Sequence, residues 1–158
     1  MILILAVGQR QPAWVNDAVA DYLNRFPKNQ RPQIREIKIE SRASGKSVTA
    51  LMQAEADRLR AALPRGSIVI ALDEHGQDLT TPELAQLVSK IEQTAEHLVF
   101  LIGGPDGLDQ NLKAASQYCL RISSMTLPHG LARILLVEQI YRMRSLKMNH
   151  PYHRSEVN

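Results

Sequence analysis

Three segments of this chain combine residue types that suit a ligand site. The first is the apolar run Leu98–Ile102, which ends abruptly in Gly103-Gly104-Pro105-Asp106-Gly107. Adjacent glycines at the carboxyl end of a buried strand remove two side chains where the backbone turns, so a ligand can approach the main chain closely. Pro105 restricts Gly104 to extended conformations and stiffens the exit. The second segment is Ser123-Ser124-Met125-Thr126-Leu127-Pro128-His129. Its hydroxyls, main-chain amides and two apolar side chains suit a nucleoside-like ligand, with an apolar wall for the base and main-chain groups reading its edge. The third is Asn149-His150-Pro151-Tyr152-His153-Arg154, where Tyr and His can stack on an unpaired base and Arg can pair with phosphate. Each segment also has a plainer reading: a tight strand-to-helix turn, a connecting loop, and a frayed terminus.

The glycines match neither Gly-x-x-x-x-Gly-Lys-[Ser/Thr] nor a Gly-x-Gly-x-x-Gly entering a helix after the first strand. Phosphate cradling is therefore unsupported, and a cofactor without phosphates fits better.

The last long helical segment carries an anomaly. Ile134, Leu136, Val137, Ile140, Tyr141 and Met143 define a broad apolar face, and Arg133 and Arg144 fall near its middle. An arginine there must find an acid or reach a ligand or an interface, because an unpaired buried charge is very costly. Arg133, beside the 123–129 loop, is expected to face the site, and Arg144 to snorkel. Arg142 points the other way, within reach of Glu138 at i,i+4. Other tempting sites carry less. His150 and His153 lack third and fourth ligands nearby, so zinc is not expected. Cys119 reads as a small buried hydrophobe. Asp73 and Glu74 read as solvated strand-end carboxylates, and the five methionines as core filler.

These segments need a scaffold, and the chain alternates strand-like with helix-like stretches. Strands are expected over Ile2–Val7, Gln33–Glu40, Ser67–Leu72, Leu98–Ile102 and Tyr118–Ile122, the third of them wholly buried. Helices are expected from Pro12 to Asn24, Val48 to Leu63, about Thr81 to Thr94, Asp109 to Ser116 and Leu131 to Met148. The first helix shows apolar Trp14, Val15, Ala18, Val19, Tyr22 and Leu23 at helical spacing. Thr80 and Thr81 compete as cap of the third. Residues 41–47 read as a flexible surface loop, and 73–76 as the loop after the third strand. The alternation predicts an α/β fold with a mostly parallel sheet flanked by helices. The loops after the third, fourth and fifth strands would then share one sheet edge, where open α/β sheets bind ligands. No linker or repeat interrupts residues 1–158, so one domain is expected.

Composition sets outer bounds. Hydrophobic residues make up 44% of 158, which is enough for a substantial core, and aromatics only 4%, so that core must be largely aliphatic. The single cysteine excludes an internal disulfide and fits a reducing, cytoplasmic compartment. No apolar run approaches the roughly 18 residues of a membrane span, and the apolar start lacks the flanks of a signal peptide. The formal net charge is +3, split as −1 over residues 1–120 and +4 over 121–158. An anionic partner, RNA foremost, is expected at the carboxyl end. An ordinary solvated face is the competing reading.

Taken in order, Leu101-Ile102-Gly103-Gly104-Pro105-Asp106-Gly107-Leu108, Thr126-Leu127-Pro128-His129 and Asn149-His150-Pro151-Tyr152-His153-Arg154 closely resemble the ribosomal RNA large subunit methyltransferase H family of the SPOUT class. The likeness extends over essentially the whole chain, including Val7-Gly8 and Tyr22…Arg25-Phe26-Pro27. It implies S-adenosylmethionine-dependent methylation of N3 of a pseudouridine in 23S ribosomal RNA of the assembled ribosome. A homodimer and a carboxyl-terminal trefoil knot are also implied, with neither metal nor membrane. Carried over by position, the cofactor would contact Leu72, Gly103, Gly104, Ser123, Ser124, Met125, Thr126, Leu127 and Pro128. His129 is the best-placed base for N3, with Arg133 or Arg154 stabilising charge on the uracil ring. Arg142, Tyr152, His153 and Arg154 would hold the RNA. Two rivals make different predictions. A non-catalytic RNA-binding module would have no affinity for S-adenosylmethionine, and a flavodoxin-like protein would bind a phosphorylated ligand.

Overall fold

Six consecutive apolar residues, Ile2–Val7, form β1, and every one is buried. A run buried on both faces needs layers above and below it, as in a parallel sheet. The computed structural model, which describes residues 1–8, 11–148 and Tyr152, supplies both. In chain order the elements are β1, α1 (Ala13–Asn24), β2 (Gln33–Ile37), α2 (Val48–Ala62), β3 (Ile68–Asp78), α3 (Thr81–Thr94), β4 (Leu98–Ile102), α4 (Gln110–Ala115), β5 (Tyr118–Arg121) and α5 (His129–Lys147). The five strands pair in parallel in the order β2-β1-β4-β3-β5. The expected α/β class is the observed one.

The alternation of each strand sorts its residues between two cores. Ile2, Ile4, Ala6, Leu98, Phe100 and Ile102 join Val15 and Val19 of α1, Val88 and Ile91 of α3, and Leu136, Val137, Ile140 and Met143 of α5. Leu3, Leu5, Val7, Val99 and Leu101 pack instead with Ala56 and Leu59 of α2 and Leu112 of α4. The crossovers leaving adjacent β1 and β4 thus lie on opposite faces of the sheet.

Local chemistry fixes the element ends. The competition between Thr80 and Thr81 goes to Thr80, in a capping box: Glu83 N donates to Thr80 Oγ1, and Glu83 Oε2 accepts from Thr80 N at 2.7 Å. Asp109 Oδ1 caps α4 through Leu112 N at 2.9 Å.

Four expectations need correction. β2 ends at Ile37, not at residue 40, because Glu40 and its neighbours turn toward α2. Residues 73–76 are not a plain loop: β3 runs on to Asp78 through an irregularity between Leu72 and Gln77, then pairs with β5 again. Gly76 permits this close return, since a Cβ there would stand 2.4 Å from the Leu120 carbonyl carbon. Leu72 and Ile68 are only partly covered, so β3 is not wholly buried. Trp14 does not join the apolar face of α1 but stands 56% exposed. Among the described residues no helix is long and apolar enough to cross a membrane.

Candidate functional site

The site begins at the end of β4. Gly104 to Gly107 close a hydrogen-bonded turn, with Gly107 N donating to Gly104 O at 3.0 Å and Gly107 at φ +85°. The glycines at 103 and 104 are needed for a reason other than ligand clearance. A Cβ on Gly103 would meet the Gly107 carbonyl carbon at 2.5 Å, within the turn itself. One on Gly104 would meet Glu55 Oε2 at 3.0 Å and Val7 Cγ1 at 3.1 Å.

Glu55 lies on α2 and is only 2% exposed. It accepts from the Glu40 amide at 3.0 Å and pairs with Arg42. Arg42 in turn donates to Asp106 through Nη2 at 2.7 Å and Nε at 3.1 Å, and to the Glu40 carbonyl at 2.9 Å. The segment 41–47, expected to be a flexible surface loop, is therefore tied through Arg42 to Asp106 of the glycine turn and to the buried Glu55 of α2. The Glu55 partnership holds Arg42 charged, raising its pKa further, with Asp106 adding to the effect.

A second chain of contacts reaches the same turn from α5. His129 Nδ1 lies 2.9 Å from Gly103 O. A carbonyl can only accept, so the ring proton sits on Nδ1 and the lone pair on Nε2. Arg133 Nη2 points at that lone pair from 3.3 Å, and its Nη1 donates to Glu36 of β2 at 2.7 Å. Burial, reinforced by the Arg133 charge, pushes the His129 pKa below its ordinary value and keeps the ring neutral. Arg133 is 3% exposed and does not border the cavity itself. It has found an acid, as its place on the apolar face required, and it stands one contact behind the site.

Between these features lies a cavity of about 600 Å³ beside the irregular 72–75 stretch of β3 and the carboxyl ends of β4 and β5. Of the expected cofactor contacts, Leu72, Gly103, Gly104, Ser123, Met125, Thr126, Leu127 and Pro128 line it, together with His129, while Ser124 does not. The 123–128 loop is shaped by its own hydroxyls. Met125 N donates to Ser123 Oγ at 2.9 Å, and Thr126 Oγ1 donates to Glu74 at 3.1 Å. Met125 itself is 76% exposed at the cavity mouth.

Met52, Asp73, Glu74, Asp106, Gln110 and Lys113 also line the cavity and were not foreseen as site residues. Asp73 is not a solvated carboxylate. It accepts from Lys113 Nζ at 2.7 Å and from the His75 amide at 3.0 Å. Burial alone would raise its pKa, but these partners outweigh burial and hold it below the usual range. Strand-end position was the only sequence signal for Asp73. Nothing in the sequence flagged Lys113 as its partner.

Comparison with known proteins bears on what such a site does. The family described as "Predicted SPOUT methyltransferase" matches residues 1–153. The chain belongs to the SPOUT methyltransferase family. Proteins named Ribosomal RNA large subunit methyltransferase H, from Burkholderia ambifaria (strain MC40-6), Burkholderia vietnamiensis (strain G4 / LMG 22486) and Burkholderia multivorans (strain ATCC 17616 / 249), are each 49% identical to it over 154 residues. These matches cover 98% of this chain and 99% of each relative.

The remaining expected residues of this SPOUT chain divide into those the structure describes and those it does not. Arg142 Nε and Nη2 both donate to Glu138 Oε1, at 2.8 and 2.6 Å, and its guanidinium lies 4.9 Å over the Tyr152 ring. Tyr152 packs edge-on against Tyr141 and donates to Glu138 at 3.1 Å, so this side chain is built into the fold. Burial, a hydrogen bond with Tyr22 and the nearby Glu138 raise its phenol pKa. Arg144 does not snorkel, because Glu92 of α3 takes both ends of its guanidinium. His150, His153 and Arg154 lie outside the described residues. Among the described residues no three His, Cys, Asp or Glu side chains cluster to hold a metal. Cys119 is partly buried, and burial raises its thiol pKa.

Proposed function

We propose that this SPOUT methyltransferase uses S-adenosylmethionine to methylate N3 of a pseudouridine in 23S ribosomal RNA of the assembled ribosome. On this reading the chain works in the cytoplasm as a homodimer, residues 1–158 forming one domain knotted in its carboxyl-terminal part. The names of the relatives support the ribosomal substrate. Exposed Trp14 and Leu131, at the amino ends of the contacting helices α1 and α5, support a second copy.

The observation that carries the cofactor assignment is the charge of the cavity lining. Its lining lysine, Lys113, is spent on Asp73, Asp106 is paired with Arg42, and among the described residues Glu74 is the lining carboxylate left without a cation. A phosphorylated ligand would find no free lining cation and one unpaired carboxylate, whereas a sulfonium cation with no phosphate fits such a wall. Leu72, Ile102, Ile122 and Leu127 supply apolar surface for an adenine ring, and the backbone of the three loops supplies its hydrogen bonds.

When bound, S-adenosylmethionine supplies an electrophilic methyl group. The residues of this chain place and protect the reaction. Gly103 and Gly104 hold the turn, Ser123 and Thr126 set the shape of the opposite loop, and Met125 covers the mouth. His129 holds the Gly103 carbonyl with its Nδ1 proton. To remove a proton from N3 it would need Nε2, at which Arg133 already points, so in this arrangement His129 positions the turn. Arg133, backed by Glu36, is a fixed cation behind the cavity and favours negative charge developing on a uracil ring placed there. Arg142, Tyr152, His153 and Arg154 are proposed to hold the RNA, with Arg154 adding to the cationic field.

Calorimetry with S-adenosylmethionine and S-adenosylhomocysteine tests the cofactor assignment. Both are expected to bind one site per chain, and Gly104→Val to abolish binding. Binding of a flavin mononucleotide in their place would overturn it.

A further inference from the structure

The basic residues of this chain are not confined to its carboxyl end. From Arg25 to Lys46 a lysine or arginine falls at every third or fourth position, seven in all against two acids, Glu36 and Glu40. This local charge of +5 exceeds the +4 of residues 121–158. The acids elsewhere in the first 120 residues cancel it in any count taken over that whole length.

Geometry makes the stretch a surface. It comprises the turn after α1, the strand β2 and the segment leading to α2. Among the described residues β2 lies at the edge of the sheet and pairs only with β1. Lys28, Arg31, Arg35 and Lys38 are exposed. Among the described residues none of these four pairs with an acid, whereas both acids of the stretch are occupied, Glu36 by Arg133 and Glu40 by Arg58. The stripe ends at Arg42, which bonds Asp106 in the turn at the cavity rim. A line of uncompensated charge thus runs up the sheet edge and stops at the site.

We infer that this β2 edge is a phosphate-contact surface, along which the backbone of the RNA substrate lies as its target nucleotide enters the cavity. The inference rests on the proposed ribosomal RNA substrate. Basic groups spaced along an edge strand suit a polyanion with regularly spaced charges, and their contribution is electrostatic and indifferent to sequence. Protection of an open strand edge from pairing is the competing role for such charges.

The test is a full-length variant carrying Lys28→Gln, Arg31→Gln, Arg35→Gln and Lys38→Gln, beside a control with Arg65→Gln and Lys90→Gln at exposed positions off the stripe. S-adenosylmethionine binding, read by calorimetry, serves as the check on folding and on the proposed function. For the stripe, KM for the ribosomal substrate is expected to rise about 10-fold or more in moderate salt with kcat unchanged, while the control behaves as wild type. The log–log salt dependence of RNA affinity is expected to become shallower by about 3, at roughly 0.7–0.9 per lost phosphate contact. The pair Lys28→Gln with Arg31→Gln, in the turn before β2, should give about half that change, which keeps the test open if the four-fold variant folds poorly. An unchanged KM and salt slope, or self-association of the variant with RNA affinity intact, would overturn the inference in favour of edge protection. Failure of the wild-type chain to bind S-adenosylmethionine would instead strike the proposed function, leaving the salt slope to be read by itself.

Discussion

His129 Nδ1 stands 2.9 Å from the carbonyl oxygen of Gly103, joining the first residue of α5 to the turn at the end of β4 across 26 positions of sequence. This hydrogen bond ties together two parts of the cavity lining, the glycine turn and the amino end of α5. Arg133 and Glu36 extend it to β2, so a single line of contacts spans the carboxyl ends of β4 and β2.

His129→Ala removes the line at its centre. Stability should fall by about 1 kcal/mol for the lost hydrogen bond, and affinity for the cofactor should fall as well. His129→Gln, which keeps a donor, should recover part of both. Urea denaturation and calorimetry on the two variants decide the point, and equal behaviour of both with wild type would remove His129 from the site.

The same residue carries a pH signature. Its folded pKa lies below the ordinary 6.5, first through burial and then through Arg133. The unfolded chain therefore binds the proton first as pH falls, and stability is lost from about pH 6.5 down to the folded pKa, then no further. His129→Gln should flatten that part of the stability curve. A variant curve parallel to wild type between pH 7 and pH 5 would contradict the assignment.

Glu36→Gln leaves the buried Arg133 guanidinium without its counter-charge. The Glu36 side chain is 40% exposed, so solvent screening reduces the cost to about 1–2 kcal/mol. Glu36→Gln combined with Arg133→Met should cost less than the sum of the two single changes. Additivity in a double-mutant cycle would mean that the two side chains act independently.

Arg42→Ala exposes the opposite hazard, a carboxylate buried without its cation. Glu55 is almost fully enclosed, and a loss of about 3 kcal/mol is expected. Asp106→Asn leaves Glu55 paired and should cost little stability while loosening the glycine turn. Its expected effect is a several-fold weaker cofactor affinity at near-normal melting temperature. If Asp106→Asn binds the cofactor as wild type does, the Arg42 contact is structural only.

Much of this architecture is legible in the chain itself. Ile2–Val7 and Leu98–Ile102 are continuous apolar runs, and their bounds coincide with β1 and β4 because nothing but two-sided burial suits such runs. Arg133 announced itself as a charge on an apolar face, although its partner lay 97 residues away and no local pattern pointed to Glu36. The continuation of β3 through Asp73-Glu74-His75-Gly76 was hidden because these residues follow no strand pattern: they form the irregularity between Leu72 and Gln77, both of which register with Leu120 of β5. Glu55 gave no signal either. A lone glutamate in a helix reads as solvated, and only the arrival of Arg42 and the Glu40 amide makes its burial tolerable.

The central claim is methyl transfer to one nitrogen of one ribosomal nucleotide, and labelled transfer followed by nucleoside analysis addresses it directly. Ribosomes lacking the modification, incubated with the purified chain and S-adenosylmethionine carrying a labelled methyl group, should yield a single labelled nucleoside, N3-methylpseudouridine, from 23S ribosomal RNA. Label in another nucleoside, or no label despite tight cofactor binding, would contradict the account.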